Sequence, residues 1–172
     1  MRESPDTIPE VALSLLTTAD ADTYFALMDE NREYFSRLAN TPQDKYQSPA
    51  DVITAFENEP SKLRWGIRTA AFPNELVGTV NFRFLTPDEE TVLGGSGGEI
   101  GYAVAEKVAG RGMATGARRA AVSELTKRGV TFIAAVTHPN NTASQKVLEK
   151  AGFKKYGTNE DGEFIFLYTQ EK

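Results

Sequence analysis

The chain has 172 residues, 40% of them hydrophobic and 25% charged, which is typical of one globular domain, predicted here to span 1–172. It has no cysteine and a single histidine, His138, so disulfides, thiolate chemistry and multi-histidine metal centres are excluded, and no metal is expected. The net charge of -5 disfavours nucleic acid and anionic membranes as partners. No signal-like start or long apolar run is present, so we expect a cytoplasmic protein.

The first half of the chain predicts a strand, two helices and a hairpin. Residues 11–16 are predicted as the opening strand, and Thr18 as the N-cap of the helix that follows. A second helix is predicted to begin at Ser48, before a proline in its first turn. Apolar and polar residues then alternate over 63–67 and 76–84, the pattern of two antiparallel strands.

The second half predicts a strand, a helix, a strand buried on both faces, another helix and two final strands. These elements are predicted at 99–105, 113–127, 131–136, 142–151, 153–157 and 164–169. The glycine-rich run at 93–98 is predicted as a flexible connection. On the helix at 113–127 we expect Arg118 on the solvent-facing side. The order of elements predicts an α+β fold, a mixed sheet with one parallel crossover.

The loop before the helix at 113–127 carries two closely spaced glycines, Gly110 and Gly112. Free backbone N–H groups at a helix start attract anions, and glycine lets a phosphate approach the backbone. A Walker loop is disfavoured, because neither glycine is followed by Lys and Ser or Thr at the required positions. A Rossmann loop is disfavoured because Thr115 stands where a third glycine is needed. A tight packing turn is the alternative explanation.

Two segments together resemble the GNAT acetyltransferase superfamily. The stretch GEIGYAVAEKVAGRGMAT at 98–115 is similar to its cofactor strand and loop, and NTASQKVLEKAGF at 141–153 is similar to the helix after its splayed strand. The spacing of Asn141 and Ser144 resembles the RimJ/RimL-like branch, the ribosomal-protein N-acetyltransferase-like enzymes. Two positions depart from the family pattern: Ala109 replaces the leading Gln or Arg of the loop, and Leu148 stands where many members place a catalytic tyrosine.

The resemblance implies a mostly antiparallel central sheet, flanked by helices and splayed where acetyl-CoA binds as co-substrate. It implies transfer of the acetyl group to a primary amine by direct attack in a ternary complex. The backbone at 102–104 is expected to pair with the pantetheine arm, and the loop amides to bind the pyrophosphate. The implied cofactor-binding residues are Tyr102, Ala103, Val104, Ala109, Gly110, Arg111, Gly112, Met113, Ala114, Thr115, Asn141 and Ser144.

Two residues are predicted to act in catalysis. Glu99, at the head of the cofactor strand, is our candidate for accepting the amine proton through water, and the alternative is a surface acid beside glycines. Ser144 is predicted to donate a proton to the departing thiolate, and the alternative is a serine that satisfies the helix start. Asn141 serves as a cofactor contact, as the N-cap, or as both. A catalytic role for His138 is disfavoured, since it has no paired acid in the sequence.

The acceptor is expected to be a protein N-terminal α-amino group or a small-molecule amine. Tyr24, Phe35 and Trp65 are predicted to edge its pocket, because the early helices cover that end of such folds; packing in the core is the alternative. Two other functions stay open: a coenzyme A-binding module with little or no catalysis, and a peptide-binding domain without cofactor. The protein is expected to be a monomer or a homodimer.

Overall fold

The computed structural model describes residues 11–39 and 41–169, in which seven strands form one sheet in the order β1-β2-β3-β4-β5-β7-β6. The strands are β1 Leu13–Leu15, β2 Leu63–Ile67, β3 Gly78–Phe84, β4 Gly97–Val104, β5 Phe132–Thr137, β6 Lys154–Thr158 and β7 Phe164–Thr169. The helices are α1 Ala21–Glu30, α2 Arg32–Ala39, α3 Pro49–Asn58, α4 Pro87–Leu93, α5 Met113–Lys127 and α6 Thr142–Lys150. Only β4 and β5 pair in parallel, which confirms the predicted α+β fold with one parallel crossover. The predicted domain at 1–172 also includes residues 1–10, 40 and 170–172, which lie outside the described residues.

The segment predicted as one helix after β1 forms two helices that meet at Asn31. The side-chain amide of Asn31 donates to the carbonyl of Leu27 at 2.8 Å, and this local bond competes with continuation of the helical ladder. The predicted N-cap is wrong by one residue: a short 3-10 turn precedes α1, and Thr17 caps it by accepting from the N–H of Ala19 at 3.2 Å. Asn31 itself has a non-helical backbone, with φ of -115° and ψ of 16°, and separates α1 from α2.

The glycine-rich run predicted as a flexible connection is structured. A short helix, α4, precedes it, because Thr86 accepts from the Glu89 N–H at 3.3 Å and the Glu89 carboxylate accepts from the Thr86 N–H at 2.8 Å, a capping box. Gly94 ends α4 in the left-handed conformation, with φ of 76°. Gly97 already belongs to β4, where a Cβ atom would lie 2.6 Å from the Phe132 ring. Close packing, rather than flexibility, requires glycine at that position.

The sheet separates two helical layers. The guanidinium of Arg64 on β2 lies 4.3 Å from the ring centroid of Phe56 on α3, and the next residue, Trp65, points to the opposite face beside Ala120 of α5. The N-terminal helices therefore cover one face and α5 covers the other. No helix among the described residues is long and apolar enough to cross a bilayer, and no three acidic or histidine side chains there are grouped as metal ligands.

The strand predicted to be buried on both faces, β5, is buried on only one. Ile133, Ala135 and Thr137 are buried, whereas the alternate residues Phe132, Ala134 and Val136 are half-buried. The alternation follows because successive side chains of a strand point to opposite faces. Only the face towards α5 is fully covered at this strand.

Candidate active site

The parallel strands β4 and β5 separate shortly after they meet. They pair at Gly97–Phe132, Gly98–Ile133 and Glu99–Ala134 and at no later position in the described chain. Beyond this point β4 stays paired to β3 as far as Val104, and β5 stays paired to β7 as far as Thr137. A split therefore opens in the centre of the sheet after Glu99, which confirms the predicted splay.

The β4 edge of the split carries unpaired backbone groups. The Ala105 N–H donates to the Val77 carbonyl at 2.8 Å, and the Leu85 N–H donates to the Gly97 carbonyl at 3.0 Å. Because bonded and non-bonded pairs alternate between antiparallel strands, odd-numbered residues of β4 bond β3 and even-numbered ones face away from it. Tyr102 and Val104 therefore direct their N–H and C=O groups into the split. An extended ligand can bond to such a free strand edge.

Ala103, which was predicted to bind the cofactor together with Tyr102 and Val104, is one of the odd-numbered residues of β4. It is opposite Thr79 in the register, so its backbone groups bond β3 and are not available to a ligand in the split. Its side chain is only half-buried, which leaves van der Waals contact as its means of touching a ligand. Of the three residues predicted to pair with the pantetheine arm, only Tyr102 and Val104 therefore have backbone groups available for it.

The loop after β4 leads to an open helix start. Gly110 and Gly112 are left-handed, with φ of 74° and 75°, and Gly112 precedes α5 without any side-chain cap. The first helical bond joins the Gly116 N–H to the Gly112 carbonyl at 3.0 Å, so the N–H groups of residues 113–115 have no helical partner. A Cβ atom at Gly110 would meet no atom within 4 Å. Free N–H groups beside open space at the positive helix end fit a diphosphate.

The other predicted loop residues surround this helix start. Ala109 and Arg111 are exposed on the loop, Met113 and Ala114 are half-buried, and the Thr115 side chain is buried under the first turn of α5. The cationic side chain of Arg111 thus lies close to the open N–H groups in sequence and is free to meet an anion. Ala109 offers a ligand no polar side-chain atom.

The segment after β5 begins α6 next to the same split. Asn141 is the N-cap, and its Oδ1 accepts from the Ser144 N–H at 3.0 Å. Its Nδ2 donates to the carbonyl of Leu38 in α2 at 3.1 Å. Ser144 is buried in the first turn of α6. His138 is exposed, and its Nδ1 accepts from the Asn140 N–H at 3.2 Å, which stabilises the turn.

Glu99 occupies the last paired position before the split. Its register partner is Arg83, and its carboxylate lies 3.8 Å from the Arg83 guanidinium. Residues two positions apart on a strand share a face, so Asn81 on β3 and Gly101 on β4 lie on the same face as Arg83 and Glu99. Asn81 is also the register partner of Arg64, which contacts α3, so this face is the one covered by the N-terminal helices. The side chain of Glu99 is 46% exposed, so water reaches it directly. Its role as a base stays a prediction.

The three aromatic residues predicted to edge the acceptor pocket are buried. Tyr24 packs edge-on against the rings of Phe56 and Tyr46, at 5.1 and 6.0 Å between centroids, and burial raises the pKa of its hydroxyl. Phe35 is 4% exposed. Trp65 is 2% exposed and lies on the α5 face, opposite to the face of Glu99. These positions favour core packing, and a role in acceptor binding stays a prediction that our proposal does not use.

Arg118 is a residue that sequence reasoning misplaced. It was expected on the solvent-facing side of α5, yet it is only 2% exposed. The sequence did carry a signal for its burial: residue 118 follows Ala114 by four positions and precedes Ala121 by three, which is the spacing of the buried stripe of the helix. Its guanidinium stacks at 4.0 Å from the ring centroid of Tyr102 on β4.

Comparisons with known proteins point to one family. The family model described as Acetyltransferase (GNAT) domain matches residues 10–154. A relative named Probable N-acetyltransferase YjcK, from Bacillus subtilis (strain 168), is 31% identical over 150 residues, which cover 83% of this chain and 79% of the relative.

Solved structures share the fold at lower identity. Ribosomal-protein-S5-alanine acetyltransferase from Vibrio fischeri matches with a TM-score of 0.77 and 18% identity, over 95% of this chain and 94% of that one. The aminoglycoside acetyltransferase AAC(6')-Ib, in complex with paromomycin and acetyl-CoA, matches with a TM-score of 0.74 and 24% identity, over 94% of each chain. At these identities the likeness establishes the fold.

Proposed function

Because the chain belongs to the GNAT acetyltransferase family, we propose that it transfers the acetyl group of acetyl-CoA to a primary amine. One observation carries the proposal: the free β4 edge at Tyr102 and Val104 leads directly to the uncapped start of α5. A strand edge suits an extended amide-bearing arm, and an open helix start suits a diphosphate. Coenzyme A has these two parts in the same order.

The residues present fit the cofactor. The backbone of Tyr102 and Val104 pairs with the pantetheine amides, and the N–H groups of residues 113–115 bind the diphosphate. Arg111 adds a cationic side chain to the loop, while Ala109 contributes none. A similar fold holds acetyl-CoA in AAC(6')-Ib, which supports this assignment. Bound acetyl-CoA supplies an activated acetyl group and a thiolate leaving group.

The amine reaches the split from the face of the N-terminal helices, where Glu99 lies at the apex. Glu99 accepts a proton from the amine through water, as its half-exposed carboxylate allows. Backbone N–H groups of β4 that face the split stabilise the negative charge that develops on the carbonyl oxygen. The neutral amine then attacks directly in a ternary complex.

As the C–N bond forms and the C–S bond breaks, the Ser144 hydroxyl is assigned to pass a proton to the departing thiolate and to regain one from the nitrogen, which loses its second proton as the amide forms. Leu148, at the position where many family members have a tyrosine, is fully buried and has no proton to give. Ser144 lies one turn earlier on α6 and has a hydroxyl. Its N–H is already bonded to Asn141, which fixes the first turn of α6 and with it the position of this hydroxyl.

The acceptor is either a protein N-terminal α-amino group or a small-molecule amine. A ribosomal-protein alanine acetyltransferase and an aminoglycoside acetyltransferase share the fold, and this range supports an amine acceptor without selecting between the two kinds. The alternative function is a coenzyme A-binding module with little or no catalysis, which Leu148 and Ala109 favour, because both positions lack a polar side chain.

Two measurements test the proposal. Acetyl-CoA is expected to raise the melting temperature of the purified chain in proportion to the logarithm of its concentration, and no rise at saturating concentrations would contradict any coenzyme A site. A pool of N-terminal peptides, aminoglycosides and polyamines is then incubated with acetyl-CoA. Thiol release with a product heavier by one acetyl group is expected. Binding without any product across the pool would support the non-catalytic module.

A further inference from the structure

Two of the three guanidinium nitrogens of Arg118 are buried without a hydrogen-bond partner. Its Nε and Nη1 atoms, together with Oγ1 of Thr137, are the buried side-chain polar atoms that lack a partner among residues 11–39 and 41–169. Burial lowers the pKa of Arg118 to about 10, so the group is still charged at neutral pH. Charged donors in a folded protein normally have partners, because burying them without one destabilises the fold.

These unpartnered atoms flank the split. Tyr102 lies three residues beyond the last paired position of β4, and Thr137 lies three residues beyond the last paired position of β5. Side chains an odd number of residues apart on a strand point to opposite faces. Tyr102 and Thr137 therefore point towards α5, away from the face of Glu99 and Ala134. Arg118 stacks on Tyr102 at 4.0 Å and lies 5.7 Å from the ring centroid of Phe153, which follows α6. The guanidinium thus extends from the β4 side of the split towards the α6 side.

The position of Arg118 along α5 selects the part of the ligand it meets. It lies five positions after Met113, a distance of about 7.5 Å along a helix. The diphosphate site is at the helix start, so Arg118 lies further towards the apex of the split, beside the arm that runs there. Amide carbonyls of that arm are hydrogen-bond acceptors, which a guanidinium requires.

We propose that Arg118 is a cofactor-positioning residue that donates hydrogen bonds from Nε and Nη1 to a carbonyl oxygen of the pantetheine arm, with the Thr137 hydroxyl as a second contact. This inference rests on the proposed function. The chain keeps a buried cation without a counterion because the cofactor provides its missing acceptor. The contact fixes the depth of the arm, and thereby the position of the thioester relative to the apex at Glu99.

The test compares two ligands that differ by the arm. Coenzyme A contains it, and adenosine 3′-phosphate 5′-diphosphate, which keeps the whole diphosphate, does not. Calorimetry measures the affinity of both for the wild type, Arg118→Met and Arg118→Lys, with Arg119→Met as the matched control, because Arg119 is the exposed neighbour on the same helix. Arg118→Met is expected to weaken coenzyme A roughly tenfold to hundredfold, the usual effect of losing hydrogen bonds from a charged group. Affinity for adenosine 3′-phosphate 5′-diphosphate is expected to stay within about twofold of the wild type.

Stability separates this role from a structural one. Removing an unpaired buried charge should leave the melting temperature of unliganded Arg118→Met equal to or above that of the wild type. Arg118→Lys, which keeps the charge but not the fork of donors, is expected to bind coenzyme A with intermediate affinity. A lowered melting temperature with equal loss of both ligands would make Arg118 a structural residue and overturn the inference.

Failure of the inference differs from failure of the proposed function. Equal coenzyme A affinity for the wild type and Arg118→Met would overturn the inference alone. A wild type that binds no coenzyme A would overturn both.

Discussion

Asn31 and Asn141 hold the two ends of α2 across the open end of the split. Oδ1 of Asn31, before α2, accepts from the N–H of Glu106, which follows β4, at 3.1 Å. Nδ2 of Asn141, which follows β5, donates to the carbonyl of Leu38, near the end of α2, at 3.1 Å. One helix thus connects the two strands that the split separates, on the face from which we propose the amine approaches.

The two bonds of Asn141 can be tested separately. Asn141→Asp keeps an oxygen that caps Ser144 but loses the donor to Leu38, whereas Asn141→Ala loses both. Urea unfolding should show a loss of about 1 kcal/mol for the alanine variant and less than half of that for the aspartate variant. Both variants are expected to raise KM for the amine, because α2 is released from β5. An unchanged KM in both would contradict a role for α2 at the acceptor entrance.

The diphosphate site is tested at Gly110. Gly110→Asp places a carboxylate in the open space beside the loop amides, and repulsion should abolish stabilisation of the chain by coenzyme A in a thermal shift assay. Gly162→Asp is the matched control. Gly162 also has a positive φ, of 80°, and open space around its Cβ position, but it lies in the turn between β6 and β7. Equal ligand responses in the two variants would refute the site.

The proposed base is tested by Glu99→Gln. The variant should lower kcat about a hundredfold, with little change in coenzyme A affinity. Glu89→Gln is the control, since Glu89 also pairs with Arg83, at 3.2 Å, but lies on α4. If both variants lose activity equally, the effect comes from the loss of an Arg83 partner, and Glu99 is removed from the mechanism.

Tyr24 makes stability depend on alkaline pH. Burial raises the pKa of its hydroxyl above the usual value near 10, so above that pH the unfolded chain loses the proton while the folded chain keeps it. The unfolded state then binds fewer protons, and the free energy of unfolding falls by up to about 1.4 kcal/mol per pH unit until the folded pKa is reached.

Tyr24→Phe lacks this dependence. The stability difference between the wild type and Tyr24→Phe, measured by urea unfolding from pH 8 to pH 11, should therefore shrink as the pH rises above ~10. Taking the difference cancels the titration of other groups that the two proteins share. A constant difference over this range would show that the Tyr24 hydroxyl titrates alike in the folded and unfolded chains.

Short-range patterns in the sequence determined most elements of the fold. Helix α5 has its predicted bounds, and Ser48 and Asn141 cap helices, because capping and helical periodicity depend on neighbours within one turn. The missed helix α4 had the same kind of signal, a capping box beginning at Thr86. The order of elements likewise predicted the parallel pair, since short connections and strand order restrict the topology. The splay was implied by the resemblance of the two motifs to the GNAT superfamily.

Only the tertiary structure decided which polar groups are buried and which lack partners. Residue type predicted solvent exposure for Arg118, but the packing of Tyr102 and Phe153 around it buries the guanidinium. The sequence left Glu99 open as a base or a surface acid, and only the structure shows that its side chain is 46% exposed beside Arg83. Burial and ionic pairing depend on groups distant in sequence, whose contacts exist only once the layers have packed, and local patterns carry no information about them.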